Sequence, residues 1–176
     1  MLYQSTRDAS HAVGLSTAIA RGLAPDGGLY VPQFMPRVEP SSLGDPADLP
    51  ALAARLLEPF AAEDPIARQL GEVALEAFNF PAPVVDVDVA GGELSVLELF
   101  HGPTAAFKDF GARFLAASLE RIPRADPRRL TILVATSGDT GGAVAAAFHG
   151  RPSVDVVVLY PRGLVSARQA KQLACW

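Results

Sequence analysis

A single cysteine, Cys175, leaves no partner for an intrachain disulfide, which predicts a fold held by its own core in a reducing, cytoplasmic setting. The three histidines, His11, His101 and His149, are too scattered to suggest a metal cluster. Lysine and arginine total 15 against 19 acidic residues, a formal charge of −4 with no dense basic run. That balance excludes the footprint of a nucleic-acid-binding protein. No uninterrupted apolar run approaches membrane-spanning length, so no membrane partner is expected. The opening residues Met1 to Asp8 lack the charged-then-apolar layout of a signal peptide. Internal repeats of fixed period and low-complexity stretches are absent too. What is present is 49% hydrophobic and 19% charged residues over 176 positions, the profile of a folded chain with one good core or two small ones.

The chain changes texture near residue 80. Before it, a short helix is expected from Ser10 to Arg21, with Val13, Leu15 and Ile19 as its apolar points. A Pro-Asp-Gly-Gly turn at Pro25 to Gly28 leads into a short strand ending at Pro32. A loop carrying Pro32, Pro36, Pro40, Pro46 and Pro50 follows. Leu49, Leu52, Ala53, Leu56 and Leu57 then recur at helical spacing, with Pro50 suited to a first turn. Asp64 caps a second helix with Pro65 just inside it and Ile66, Leu70, Val73, Ala74 and Ala77 on its buried face. Residues 1–80 therefore read as a mostly helical unit.

Beyond Pro83 the period shortens. Val85, Val87 and Val89 alternate with Asp86 and Asp88, as in a half-buried strand, and Gly91-Gly92 turns the chain into a second strand from Leu94 to Phe100. A helix is expected from Phe107 to about Leu119, a strand over Leu130 to Ala135 and a small-residue helix over Gly141 to Phe148. Another strand spans Val154 to Tyr160, and a final helix runs from Ser166 to Cys175. Alternating apolar strands and helices predict an α/β fold of parallel βαβ units covered on both faces over residues 81–176.

Two segments carry chemistry. Lys108 stands in the first turn of its helix, where the macrodipole favours anions. Ala105, Ala106 and Phe107 beside it would desolvate an ammonium and favour the neutral, nucleophilic amine that reacts with an aldehyde. The alternative is a solvated surface lysine. The second segment is the loop Thr136 to Gly142, between an apolar strand and a helix. Ligands of open α/β sheets bind beyond the carboxyl ends of strands, and N–H groups freed there suit a phosphate or carboxylate. Ser137 and Thr140 add hydroxyls. The spacing matches neither a dinucleotide nor a nucleoside-triphosphate fingerprint. A plain strand-to-helix turn is the alternative.

The runs His101 to Phe114 (HGPTAAFKDFGARF) and Thr136 to Gly142 (TSGDTGG) resemble those of the threonine synthases, pyridoxal-phosphate enzymes of the tryptophan-synthase-β-like fold. So do Gly22 to Pro32, Phe78 to Pro83, Leu97 to Phe100 and Leu159 to Gly163, so the resemblance covers essentially the whole chain. It implies a partial fold-type-II domain over residues 81–176, preceded by the family's amino-terminal helical domain over residues 1–80. It further implies pyridoxal 5'-phosphate as cofactor, bound through an imine to Lys108. The loop Ser137, Gly138, Asp139, Thr140 and Gly141 would hold the substrate carboxylate. The reaction implied is that of a carbon–oxygen lyase, O-phosphohomoserine and water giving threonine and phosphate. Arg162, after a strand end, is a candidate for the substrate phosphate, with Arg113 and Lys171 behind it; a solvated loop charge is the alternative for Arg162. Asp139 is expected to brace its loop, because a carboxylate facing a carboxylate is repulsive.

The resemblance also implies what is not among residues 1–176: the family's glycine-rich loop for the cofactor phosphate and the group facing the pyridine nitrogen. The chain therefore reads as an amino-terminal piece, inactive alone, with an open sheet edge and an uncovered apolar face. Two other readings stand beside threonine synthase: a related lyase such as threonine dehydratase, and a non-catalytic remnant. The Gly22 to Pro32 stretch and the amino-terminal helices argue against the dehydratase.

Overall fold

The computed structural model describes residues 1–45, 47–89, 91–124 and 128–176; Pro46, assigned above to the proline-rich loop, lies outside the described residues. The chain divides into two units, Met1–Ala77 with Ala117–Ala125, and Phe78–Ala116 with Asp126–Trp176.

In the first unit, β1 (Tyr3–Ser5) is the middle strand of a three-stranded antiparallel sheet, flanked by β2 (Ala12–Val13) and β3 (Tyr30–Pro32). The sheet corrects the expectation of a helix from Ser10. Ala12 and Val13 pair with Gln4 and Tyr3, and the extended Gly14 separates them from α1 (Leu15–Arg21). A two-residue strand has no periodicity of its own to read; its partner on β1 makes it. The expected helix α2 (Leu49–Leu57) forms, with Pro50 in its first turn and the Asp48 carboxylate accepting the Ala51 N–H at 3.1 Å. After Asp64 the chain makes a 3-10 turn, Pro65–Gln69, before α3 (Leu70–Ala77). Ile66, Leu70, Val73, Ala74 and Ala77 are all buried, as the helical spacing predicts. Asp64, itself buried, serves two helix starts. It accepts the Ile66 N–H at 3.1 Å, the Ser16 N–H of α1 at 3.0 Å, and the Ser16 hydroxyl.

The second unit holds an antiparallel hairpin, β4 (Val84–Val89) and β5 (Gly92–Leu97), in the register Val85↔Val96 and Val87↔Leu94. Every position of both strands is exposed, so the half-burial expected from their alternation does not occur. The reason is topological: among the described residues these two strands pair only with each other, and alternation sorts side chains onto two faces without supplying a cover for either. β5 also stops at Leu97, short of Phe100.

Next comes α4 (Lys108–Arg121), where Phe110 and Phe114 meet Phe78 at centroid distances of 6.0 and 6.2 Å, and Phe80 meets Phe110 edge-on at 4.9 Å. Strands β6 (Leu130–Ala135) and β7 (Val154–Leu159) pair in parallel, Leu130↔Val154 through Ala135↔Leu159, joined through α5 (Asp139–Phe148). This is the expected βαβ unit. Small residues let α5 sit close to its neighbours: Gly141, Gly142, Ala143, Ala145, Ala147 and Phe148 are buried. Among the described residues Leu133, Val157 and Leu159 remain exposed on one face, the uncovered apolar face expected of a parallel sheet with so few strands. α6 (Ala167–Ala174) opens on a capping box, Ser166 with Gln169. Among the described residues no helix is long and apolar enough to cross a membrane.

Candidate functional site

Lys108 is the first residue of α4. The buried face of that helix carries Asp109, Ala112 and Ala116, with Lys108 half-buried at its edge and Phe107, just ahead of the helix, exposed. The apolar envelope expected around the ammonium is therefore not formed. Of the three residues named for it, Ala106 is buried, Ala105 is exposed and Phe107 is 58% exposed. The Lys108 Nζ lies 4.0 Å from the Phe107 ring centroid and 3.9 Å from Asp139 Oδ2. Both members of that ion pair are partly solvated, so the pair adds little to stability.

The backbone leading to Lys108 is held far more firmly than its side chain. Asp109, 1% exposed, accepts the Thr104 N–H at 2.9 Å through one carboxylate oxygen and the Thr104 hydroxyl at 2.7 Å through the other. Between them Ala105 takes a left-handed conformation, φ 56°, which costs a non-glycine residue about 1–2 kcal/mol. Gly102 approaches so closely that a Cβ there would stand 2.7 Å from the Asp109 Cβ.

The second segment begins at the carboxyl end of β6. The Thr136 Oγ1 accepts the N–H groups of Gly138 at 3.1 Å and Gly141 at 3.2 Å, curling the loop around one hydroxyl. α5 starts at Asp139, two residues before the Gly141 expected, so Asp139, Thr140 and Gly141 form its first turn. Gly141 has no room for a side chain, since a Cβ would meet the Thr136 methyl and sit 2.8 Å from Leu173 Cδ2. The N–H groups of Ser137, Asp139 and Thr140 have no acceptor among the described residues. They are open to an anion, as are the exposed Ser137 and Thr140 side chains.

The structure thus brings Lys108 and the Ser137–Gly141 loop together through Asp139. Arg162 is exposed in the turn after β7, and no hydrogen bond or ion pair among the described residues joins it to either segment. Arg113 donates to Asn79 Oδ1 at 2.9 Å and lies 5.7 Å from the Phe80 ring, while Lys171 is exposed on α6. Sequence reasoning missed two braces, Thr136 and the Thr104–Asp109 pair. A threonine ahead of Ser-Gly at a strand end is a signal for the first. The second had none, because an acid in a first helical turn reads as a solvated dipole partner.

Fold and site together define an α/β protein built like the amino-terminal region of the threonine synthases. Residues 2–78 match the family described as threonine synthase N terminus. The chain is 42% identical over 173 residues to the threonine synthase of Escherichia coli K12, covering 97% of this chain and 39% of that protein. The crystal structure of threonine synthase from E. coli superposes with a TM-score of 0.86 at 41% identity, over 98% of this chain and 40% of the other. A structure of threonine synthase from Brucella melitensis, described as bound to PLP, gives 0.83 at 38% identity, over 98% and 38%. The chain therefore spans about two-fifths of the length of the relatives it matches. The resemblance read from the sequence holds in sequence and in fold: the chain is similar to the amino-terminal portion of threonine synthases.

Proposed function

We propose that this chain carries the lysine and the carboxylate-binding loop of a pyridoxal-phosphate-dependent threonine synthase, a cytoplasmic lyase that converts O-phosphohomoserine and water to threonine and phosphate. Because the chain spans about two-fifths of its relatives' length, the whole reaction is proposed for a protein of the relatives' length. Residues 1–80 are assigned to the amino-terminal domain and 81–176 to part of the cofactor domain. The observation that carries the reading is the Lys108 amine 3.9 Å from a loop that offers unused N–H groups.

The donor set fits an anionic aldehyde and its amino-acid substrate: a partly solvated primary amine for the aldehyde, and three free N–H groups with two hydroxyls for a carboxylate. When bound, pyridoxal phosphate supplies an electron sink for charge left on a substrate carbon. Lys108 would hold it through Nζ and, once displaced by substrate, carry protons at the substrate Cα and then Cβ. The Ser137, Asp139 and Thr140 N–H groups would orient the substrate carboxylate, with Asp139 kept toward Lys108 and away from that anion. Arg162 is assigned to the substrate phosphate on chemistry alone.

The chain has only two lysines, Lys108 and Lys171, which makes a direct test simple. Pyridoxal phosphate followed by borohydride, then peptide mapping, is expected to mark Lys108. Label on Lys171 in its place rejects the assignment. For the loop, Thr140→Val in a protein of the relatives' length should raise the KM for O-phosphohomoserine and leave cofactor absorbance intact; unchanged kinetics would count against it.

A further inference from the structure

The Lys108 amine is poorly restrained by what it touches. Among the described residues its ring contact and its ion pair, the Phe107 ring at 4.0 Å and the Asp139 carboxylate at 3.9 Å, both belong to exposed side chains. Neither can fix the direction of a four-carbon stem. The restraint lies one residue further on. Asp109 spends both carboxylate oxygens on Thr104, five residues earlier, and so closes a loop that contains Lys108. Successive turns fill that loop: Ala105 N–H to Gly102 O at 3.0 Å, Asp109 N–H to Ala106 O at 3.0 Å, and Phe110 N–H to Phe107 O at 3.3 Å. Ala105 is held left-handed inside it, and Gly102 is pressed against the same carboxylate with no space for a side chain. If Asp109 served only the helix dipole, an exposed carboxylate would suffice; this one is 1% exposed.

We propose that Asp109 is the positioning residue of Lys108, aiming the lysine by fixing the backbone from which it projects and making no contact with the amine. A reactive lysine must be aimed and must also swing between partners, and a locked backbone beneath a loosely held side chain meets both needs. The inference rests on the reading of Lys108 as the aldehyde-binding amine.

The test uses the whole chain and pyridoxal phosphate with borohydride, reading the ratio of label on Lys108 to label on Lys171. In Asp109→Ala the ratio is expected to fall by roughly tenfold, within the penalty that an ångström-scale misplacement carries. Asp109→Asn should restore it, because an amide can accept the Thr104 N–H and donate to the Thr104 hydroxyl. Circular dichroism checks that each variant is folded. Should Asp109→Ala not fold, Thr104→Val decides, since it removes one hydrogen bond and keeps the other; the expected fall is about threefold. A merely structural role would lower stability and leave the ratio of the folded protein unchanged, and that result overturns the proposal. Equal labelling of the two lysines in the unmutated chain would instead reject the reading of Lys108 and the positioning role with it.

Discussion

Two carboxylates in this molecule hold two turns with the same pair of bonds. Asp109 takes the N–H and the hydroxyl of Thr104, at 2.9 and 2.7 Å; Asp26 takes the Gly28 N–H and the Ser5 hydroxyl, both at 2.8 Å. What separates them is water. Asp109 is 1% exposed, whereas Asp26 is open to solvent. The Gly28 and Ser5 bonds hold the Asp26 carboxyl below its usual value of 3.8, the same bonds that organise the Pro25 to Gly28 turn. An exposed carboxylate of that kind gives up water to gain its partners and can regain water when they are lost. A buried one cannot, so the cost of losing its partners is the larger. The buried copy sits beside Lys108, where a small drift of the backbone would move the amine.

This contrast can be broken experimentally. Asp109→Ala should lower the unfolding free energy by about 3 kcal/mol, because it leaves the Thr104 N–H and hydroxyl without their charged acceptor. Urea unfolding measures it, and a loss no larger than that of Asp26→Ala would remove the distinction drawn from burial. Asp26→Ala is expected to cost clearly less.

The acid response of Asp26 sharpens the point. Its depressed pKa means that the folded chain releases the proton more readily than the unfolded one. The contribution is therefore present above about pH 4 and is lost as the pH falls through the folded value. Asp8, lowered by its bonds from Ser10, behaves in the same sense. Stability followed from pH 6 to pH 2 should decline less steeply in Ser5→Ala than in the unmutated chain, and parallel curves would contradict this. The smallest effect is expected at Lys108 itself. Lys108→Met should change stability by no more than about 0.5 kcal/mol, since it deletes a solvated ion pair. A larger loss would mean that the lysine helps to hold the fold that aims it.

The elements that could be read in advance are those whose signal is local. Ile66, Leu70, Val73, Ala74 and Ala77 announce the buried face of the 3-10 turn and of α3 after it, and all five are buried. The β6–α5–β7 unit was equally legible, from two β-branched runs and a small-residue helix. β1 and β2 were not, because strands of three and two residues carry no period of their own and form through their partners, β2 on β1 and β1 on β3 as well. Alternation correctly gave the β4–β5 hairpin its strands and wrongly gave it a buried face, since burial depends on what lies opposite and not on the pattern. At the site, the pairing of Lys108 with the Ser137–Gly141 loop followed from the family resemblance that their two motifs carry. The apolar wrapping of Lys108 did not, because adjacency in sequence brings the Phe107 ring to the amine while leaving both side chains partly open to solvent.

Gly141 and Gly142 stand side by side in one motif, yet they differ in what inheritance can do to them. Every single-base change of a glycine codon that alters the residue installs a side chain, and at Gly141 any side chain collides with Thr136 and Leu173. At Gly142 a Cβ would meet nothing nearer than the Gln172 Cβ at 3.9 Å, so alanine is free to arise there, where it is also the better helix former. Among natural variants of this chain, the first glycine should stay fixed while the second drifts toward alanine.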